Sequence, residues 1–321
     1  MRRQLVVLLL ACALVLVAFA ARASAPIDRP RYARGDFWTY RRTLEQSFGF
    51  IFAGNTTFTA GDVKTVSVQG EDVRALELAI TGGGRFNGSV EPFGRVAGSF
   101  TLTGSDDWET GAWKSVRSFV HLIAEGTLEG GPAPLRFTLD VVNETTHRIT
   151  TDTFPWPIVE GSQGAASGHL NASQNVTVAF EGSPPESNLT WANGTFVTSF
   201  EDLRTEGITV PAGRFQAHVI REGTSGGPYR LRWLAPEAGM DVRQEEYNET
   251  GSRVATAELT EFRYAAGRPA PPFPWLTVLV ASLAAVALAL VVVLALRRRR
   301  KPVEVWMPPA PSSPQEPKGL S

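Results

Sequence analysis

Apolar and polar side chains alternate along most of residues 25–266, and helical spacing is nearly absent there. Side chains spaced by two lie on one face of a β-strand. Clear examples are Leu76, Leu78, Ile80, Leu135, Phe137, Leu139, Val141, Val176, Val178 and Phe180. Turns rich in glycine and proline separate these runs, at the intervals that β-sandwiches and barrels show. The chain is therefore expected to be all-β.

A weak internal repeat suggests that the strands form two related units. Residues 65–78 and 208–219 each read as a strand, a glycine-containing turn and a second strand. A strand with a tryptophan and an acidic turn follows each of them. We predict two tandem antiparallel half-barrel or sandwich units, 24–148 and 149–265, plus one C-terminal transmembrane helix.

The N-terminus has the features of a secretory signal. A basic start is followed by an apolar run at 5–21, and Ala21-Arg22-Ala23 offers an A-x-A cleavage site. Residues 1–23 are therefore predicted to be a signal peptide. Because the apolar run is slightly longer than usual, an uncleaved signal anchor is the alternative.

The C-terminal region predicts a membrane anchor. Leu276–Leu296 contains no charge and no proline, and at about 1.5 Å per residue it could span a hydrocarbon core of about 30 Å. Five basic residues follow at once, which predicts a cytoplasmic end. A proline-rich stalk is predicted at 266–275, and a disordered cytoplasmic tail at 297–321. The expected protein crosses the cell membrane once, with its ectodomain outside.

Every asparagine of the chain begins an N-x-[ST] acceptor with no proline between, the pattern of N-glycosylation. The eight predicted glycosylation sites are Asn55, Asn87, Asn143, Asn171, Asn175, Asn188, Asn193 and Asn248. All lie between the two apolar segments, which supports an extracellular ectodomain. Four fall within 171–193, so this stretch is expected to face solvent and to be unavailable as a protein interface once modified.

Composition limits the possible partners and the source of stability. The net charge is −1, so nothing electrostatic favours a nucleic-acid partner. The only cysteine, Cys12, lies in the signal segment, so the mature ectodomain must be stabilised by its hydrophobic core without disulfides. Arginine greatly outnumbers lysine, and this composition resembles that of surface proteins from GC-rich archaea.

A motif in the second predicted unit carries a family resemblance. The segments are Val210-Pro211-Ala212-Gly213-Arg214-Phe215, then 229–240 with Trp233, Pro236 and Gly239, then Glu258-Leu259-Thr260-Glu261-Phe262. This order resembles an uncharacterised family of archaeal and bacterial exported β-rich proteins, related in fold to LolA/LolB-type lipoprotein carriers. The resemblance implies a curved antiparallel half-barrel whose concave face holds an apolar ligand.

No arrangement of side chains indicates catalysis or a metal. His121, His147, His169 and His218 are far apart in sequence and lack metal-ligand spacing. Residues 223–227 match G-x-S-x-G, but a strand follows where a nucleophile elbow needs a helix. Asp106, Asp107 and Glu109 do not have calcium-loop spacing. We therefore predict no enzyme, no catalytic or metal residue and no cofactor.

Tryptophans are the remaining candidates for binding. The ectodomain has six, Trp38, Trp108, Trp113, Trp156, Trp191 and Trp233. Carbohydrates bind aromatic faces, but tryptophans in β proteins more often belong to the core. Trp191 lies between two acceptors, so its segment is expected to be exposed.

Two functions remain open. The first is an N-glycosylated cell-surface binding module for an apolar or lipid-like ligand. The second is a structural or adhesive envelope glycoprotein without a small ligand, whose partners would be envelope proteins. A continuous apolar groove would favour the first function, and tightly packed cores would favour the second.

Overall fold

The computed structural model describes residues 26–45, 51–90, 94–130, 133–224 and 226–266. Twelve antiparallel strands follow one another as a meander, each paired with the next, and β12 pairs with β1 to close a barrel. The strands are β1 Phe37–Glu45, β2 Ile51–Val68, β3 Glu71–Val90, β4 Gly94–Glu109, β5 Lys114–Glu129, β6 Leu135–Asp152, β7 Gln163–Phe180, β8 Glu186–Val210, β9 Gly213–Gly223, β10 Tyr229–Ala235, β11 Met240–Tyr247 and β12 Arg253–Arg263.

The all-β prediction is confirmed, but the prediction of two tandem half-barrel or sandwich units is wrong. Strand β6 runs through residue 149 without interruption and pairs with β5 on one side and β7 on the other. The two predicted units are therefore parts of one closed sheet. Alternation correctly located strands, including the hairpins β2–β3 and β8–β9, but a period of two contains no information on which strands pair.

The structure also corrects the membrane prediction. The part of the chain that the structure describes contains no helix, and so none there is long and apolar enough to cross a membrane. The predicted transmembrane helix at 276–296 lies outside the described residues, as do the signal peptide at 1–23 and the tail at 297–321. Of the predicted stalk, 266–275, only the first residue is described. The prediction that this protein is integral in the membrane and crosses it once therefore has no support in the described residues.

The barrel has a tall side and a short side. Strands β2–β8 contain 16–25 residues each, whereas β1 and β9–β12 contain 7–11. The main hydrophobic core lies at one end, where Trp38, Leu78 and Leu259 are completely buried. A second apolar cluster, with Phe86, Val96 and Ala124 at its centre, lines the tall side.

The segment before β1 covers one end of the barrel. Ile27 and Ile158 exchange two backbone hydrogen bonds of 2.9 Å, which ties this segment to the β6–β7 connection. The Tyr32 hydroxyl donates to the carbonyl oxygen of Gly239 at 2.7 Å, and the Trp38 indole N–H donates to that of Ala238 at 2.6 Å. The β10–β11 turn is therefore held against the core by aromatic side chains from the opposite end of the sequence.

Glycines allow the tall strands to bend closely past one another. Gly98 on β4 lies directly opposite Gly126 on β5, and the rings of Phe86 and Phe137 pack over this pair. A Cβ atom on Gly98 would overlap the carbonyl oxygen of Glu125 and the Phe86 ring. Glycine kinks of this kind introduce the curvature that a closed barrel requires.

We predict that Gly98→Ala lowers the free energy of unfolding by about 3 kcal/mol, because the added methyl group overfills a packed site. Urea unfolding followed by circular dichroism measures the change. Gly194→Ala is the matched control, since a Cβ atom on this strand glycine meets nothing within 4 Å. Equal stability of the two variants would contradict the close approach at Gly98.

Candidate functional site

A cavity of about 470 Å³ lies inside the barrel next to the covered end. Its lining side chains occupy the inward positions of the strands, which alternate with outward ones. Aromatic and aliphatic side chains from β2, β3, β6 and β8–β10 form its apolar walls, among them Phe58, Leu78, Ile149, Phe196 and Leu234. Its volume lies in the range of about 300–1,000 Å³ that is typical of small-molecule sites.

A chain of ion pairs, buried at Asp241 and partly buried elsewhere, forms the polar side of the cavity. The Glu222 carboxylate accepts from Arg230 at 3.0 Å and from Arg232 at 3.1 Å. Arg232 also donates to Asp241 at 2.8 Å, and the Gln244 amide donates to the same carboxylate at 2.6 Å. These residues come from β9, β10 and β11. Arg230 lies directly opposite Glu222, and Arg232 lies directly opposite Gln244. Each of the two acids is therefore paired within this network.

The pairing changes the pKa values of this network in the expected directions. Burial acts to raise the pKa of Glu222, but the positive charges of Arg230 and Arg232 outweigh it and hold this pKa below its ordinary value. Burial acts to lower the pKa of Arg232, but Asp241 and Glu222 outweigh it and raise this pKa above its ordinary value. Glu222 and Arg232 are therefore both charged at neutral pH.

Arg42 differs from these two arginines because it is not part of an ion pair. It lies on β1 between Gly54 of β2 and Ala257 of β12, so its direct neighbours on the inner face are small. Among the residues that the structure describes, no carboxylate makes an ion pair with Arg42. Burial lowers the pKa of Arg42, Glu246 acts to raise it and Arg230 lowers it further. Among the described residues, Arg42 thus lines the cavity as a cation without a direct ion pair.

Two further charged side chains reach the cavity from the tall side. Lys114 donates to Asp152 at 2.7 Å, and its ammonium group lies over the rings of Phe154 and Phe200. Burial lowers the pKa of Lys114, and Asp152 acts in the opposite direction. Asp106 accepts hydrogen bonds from Ser115 and, at 2.7 Å, from the Trp108 indole. Burial raises the pKa of Asp106, so this carboxyl holds its proton to a higher pH than usual.

Several buried polar atoms of the lining residues lack a partner. Within the described ranges, His147 Nδ1, Trp156 Nε1 and Asp241 Oδ1 make no hydrogen bond. A buried polar atom without a partner costs about 1–3 kcal/mol, so native proteins contain few of them. Three such atoms therefore leave the polar groups of the cavity wall incompletely satisfied.

The histidines that the sequence singled out lie in different environments. His147 lines the cavity, where burial lowers its pKa. His218 is buried, and its Nδ1 lies 2.5 Å from Asp202 Oδ2. His121 contacts Asp140 at 2.9 Å, and His169 lies opposite Arg148 on β6. Within the residues that the structure describes, no three histidine, cysteine or acidic side chains are grouped to hold a metal ion.

The tryptophans are divided between the core, the cavity and the surface. Trp38 and Trp233 are buried, and Trp108, Trp113 and Trp156 line the cavity. Trp191 is 71% exposed, in agreement with the expectation that its segment faces solvent. Of the predicted turn acids, Asp106 lies in the cavity and the buried Asp107 pairs with Lys64 at 3.1 Å. Most of these side chains therefore belong to the interior of the barrel.

All eight predicted glycosylation sites lie within the described residues. Six are exposed, and the other two, Asn143 and Asn248, are partly buried. Asn143 lies opposite Val120 and Asn188 opposite Val176, which are inward positions of the barrel. The remaining strand acceptors occupy outward positions. Exposure is compatible with modification at six positions, and glycosylation itself stays a prediction.

Sequence reasoning did not identify Arg42, Glu222 or Arg232 as site residues. The signal was present for Arg42, because the alternation of Trp38, Tyr40 and Leu44 places it on an apolar face. A charged residue at an apolar position is informative, since such residues are rarely buried without a partner. For Glu222, both faces of β9 carry apolar and charged residues, so the inner face could not be chosen. For Arg232, the uncharged face of β10, with Tyr229, Leu231 and Trp233, is the one that spacing alone would have turned inward.

Comparison with known proteins gives little further guidance. No family model matches this chain, and no curated protein does. A candidate exported protein with a YmcC-like fold from Bacteroides fragilis is 14% identical over 74% of this chain and 100% of its own, with a TM-score of 0.27. A candidate lipoprotein from Parabacteroides distasonis is 13% identical over 75% of this chain and 100% of its own, with a TM-score of 0.28. The first is an exported protein, the class that the motif resemblance names, and the second is a lipoprotein, but similarity this low carries no argument about this chain. The family resemblance carried by the motif at 210–262 therefore stays a prediction.

Proposed function

We propose that this chain is an exported, non-enzymatic binding protein that holds an amphipathic anion inside its barrel. The observation that carries the proposal is the cavity of about 470 Å³ in which Arg42 makes no ion pair with a described residue, and Glu246 acts on it only from beyond ion-pair distance. The apolar walls of the cavity suit a hydrocarbon part, and the guanidinium suits a carboxylate or phosphate group. Guanidinium groups bind such anions through paired hydrogen bonds.

The neighbours of Arg42 support this orientation of the ligand. Its inward neighbours Gly54 and Ala257 leave room beside the guanidinium. Ile149, Phe196 and Phe200 line the cavity from β6 and β8, across the barrel from β1. Because Glu222 and Asp241 already pair with Arg230 and Arg232, Arg42 is the cation available to an incoming anion.

Binding of dodecanoate and of dodecanol to the full chain tests the proposal, with isothermal titration calorimetry as the measurement. We expect the full chain to bind dodecanoate more tightly than dodecanol. Arg42→Met should weaken dodecanoate binding about 10- to 100-fold, since a charge-assisted hydrogen bond contributes about 1.5–3 kcal/mol. The same substitution should change dodecanol binding by no more than about 2-fold.

The neighbouring arginine provides a matched control. Arg41 lies on the outward face of β1 and pairs with Glu258 at 3.0 Å. Arg41→Met removes the same charge one residue away and should leave dodecanoate binding unchanged. If the unaltered chain binds neither compound, the proposal is wrong. That result would favour the alternative function, a structural or adhesive envelope protein without a small ligand. Equal losses for both variants would show that Arg42 has no specific role.

A further inference from the structure

One edge of strand β8 has no strand beside it in the described part of the chain. β8 pairs with β7 from Glu186 onwards, but its pairing with β9 begins only at Ser199. β9 is one of the short strands and ends at Gly223, which lies opposite Ser199. It therefore does not extend alongside the first part of β8. Residues 186–198 therefore present a row of backbone N–H and C=O groups, which we name the free β8 edge.

The outward face of the free β8 edge carries three large apolar side chains. Leu189, Trp191 and Val197 are 54%, 71% and 61% exposed, and all three occupy alternate positions on the same face. Long exposed edges with apolar side chains are templates for pairing with another chain. Native proteins usually shorten such edges, charge them or cover them. Between 186 and 198 the only charged side chain is that of Glu186.

Predicted glycosylation sites surround this apolar face. Asn193 lies two residues along β8 from Trp191 and directly opposite Asn171 on β7. Asn175 lies directly opposite Leu189, and Trp191 itself lies opposite Ser173. Residues directly opposite or two positions along on one sheet face lie within about 8 Å of each other. Three outward-facing acceptors thus flank Trp191, and all three are exposed.

The fourth acceptor of this region lies on the free β8 edge itself. Asn188 is exposed and occupies the opposite face of β8 from Leu189 and Trp191. Four of the eight acceptors are therefore found on β7 and the unpaired part of β8. The acceptors Asn55 and Asn87 lie on β2 and β3, which are paired on both sides.

We propose that N-linked glycans on Asn171, Asn175, Asn188 and Asn193 cover the free β8 edge and prevent it from pairing with another chain. A glycan is bulky and hydrated, so it excludes a neighbouring strand without forming part of the core. Sugar rings attached at Asn171, Asn175 and Asn193 can pack against the exposed Trp191 indole, whose apolar face suits their C–H groups. The proposal does not depend on ligand binding in the barrel.

The first measurement is glycopeptide mass spectrometry on the full chain, produced in a host that performs N-glycosylation. Occupied acceptors at Asn171, Asn175, Asn188 and Asn193 are expected. Unmodified asparagines at all four positions would overturn the proposal at this step.

The second measurement compares self-association by sedimentation velocity. The edge variant carries Ser173→Ala, Thr177→Val, Thr190→Val and Thr195→Val, which remove the four acceptors and keep every asparagine. The control variant carries Thr57→Val and Ser89→Ala, which remove the acceptors at Asn55 and Asn87. We expect the edge variant to associate at a concentration at least about 10-fold lower than the control.

A rescue experiment separates edge pairing from general loss of solubility. Adding Trp191→Lys and Val197→Lys to the edge variant places charges on the free β8 edge, and we expect the monomer to be restored. An edge variant that stays as monomeric as the control would overturn the proposal. Association that persists after the two lysines are added would do the same, because it would arise elsewhere. Dodecanoate binding should be the same in all of these variants.

Discussion

Replacing Arg232 with methionine is expected to lower the free energy of unfolding by about 3–5 kcal/mol. Arg232 is the shared partner of two carboxylates, the partly buried Glu222 and the buried Asp241. Among the described residues Asp241 forms an ion pair with no other cation, whereas Glu222 keeps Arg230. Methionine restores most of the volume but leaves a buried negative charge without compensation. Urea unfolding at pH 7 measures the loss.

The pH dependence of this variant provides an independent test. The pKa of Glu222 is lower in the folded protein than its ordinary value of 4.5. A lowered acid pKa stabilises the folded state above pH 4.5, and this contribution is lost as the pH falls through the folded-state pKa. The unaltered chain should therefore lose stability below about pH 4.5. In Arg232→Met this acid-side loss should be smaller, because the pKa of Glu222 moves back upwards.

A surface arginine provides the control for charge removal. Arg204 pairs with Glu206 at 2.8 Å, and the two side chains are 50% and 35% exposed. Arg204→Met should change the unfolding free energy by less than about 1 kcal/mol, since exposed ion pairs contribute little. If Arg232→Met proved as mild as Arg204→Met, the buried network would not stabilise the barrel as described.

Trp38→Ala is expected to cost about 3–5 kcal/mol of unfolding free energy. Trp38 is completely buried, contacts the rings of Tyr32 and Tyr264, and donates to the Ala238 carbonyl oxygen at 2.6 Å. Alanine would remove these contacts and leave both a cavity and an unpaired carbonyl group. Thermal and urea unfolding followed by circular dichroism measure the effect.

Trp191→Ala is the matched comparison, because it removes the same side chain from a position that is 71% exposed. Its effect on unfolding should stay within about 0.5 kcal/mol. Trp38→Phe should lie between the two, since it keeps most of the apolar volume and loses the indole N–H. Similar losses for Trp38→Ala and Trp191→Ala would contradict the position of the core at the covered end.

The strands themselves could be predicted from the sequence because alternation is a local property. Leu76, Leu78 and Ile80 were assigned to one face, and they lie on β3 with their side chains largely buried. Turn residues were equally informative, as at Gly182 and Gly226, where positive φ angles of 84° and 72° favour glycine. The exposed state of Trp191 followed from the acceptors on either side of it.

The arrangement of the strands could not be predicted in the same way. Two similar hairpins suggested two domains, but the barrel closes through β1 and β12, whose partners Tyr40 and Leu259 are far apart in sequence. Nothing in a short alternating segment specifies such a partner. The cavity was missed for the same reason, since Arg42 meets the network of Glu222 and Arg232 only after the sheet has closed.

The sequence by itself determined that this chain is all-β, where most of its strands and turns lie, and that all eight acceptors fall in the β region. These features depend on side-chain spacing and backbone preferences over a few residues. Only the tertiary structure decided that the strands form one closed barrel, that Arg42 faces a cavity, and that β8 keeps a free edge. Those features depend on the lengths and pairing of strands distant in sequence, which no local pattern contains.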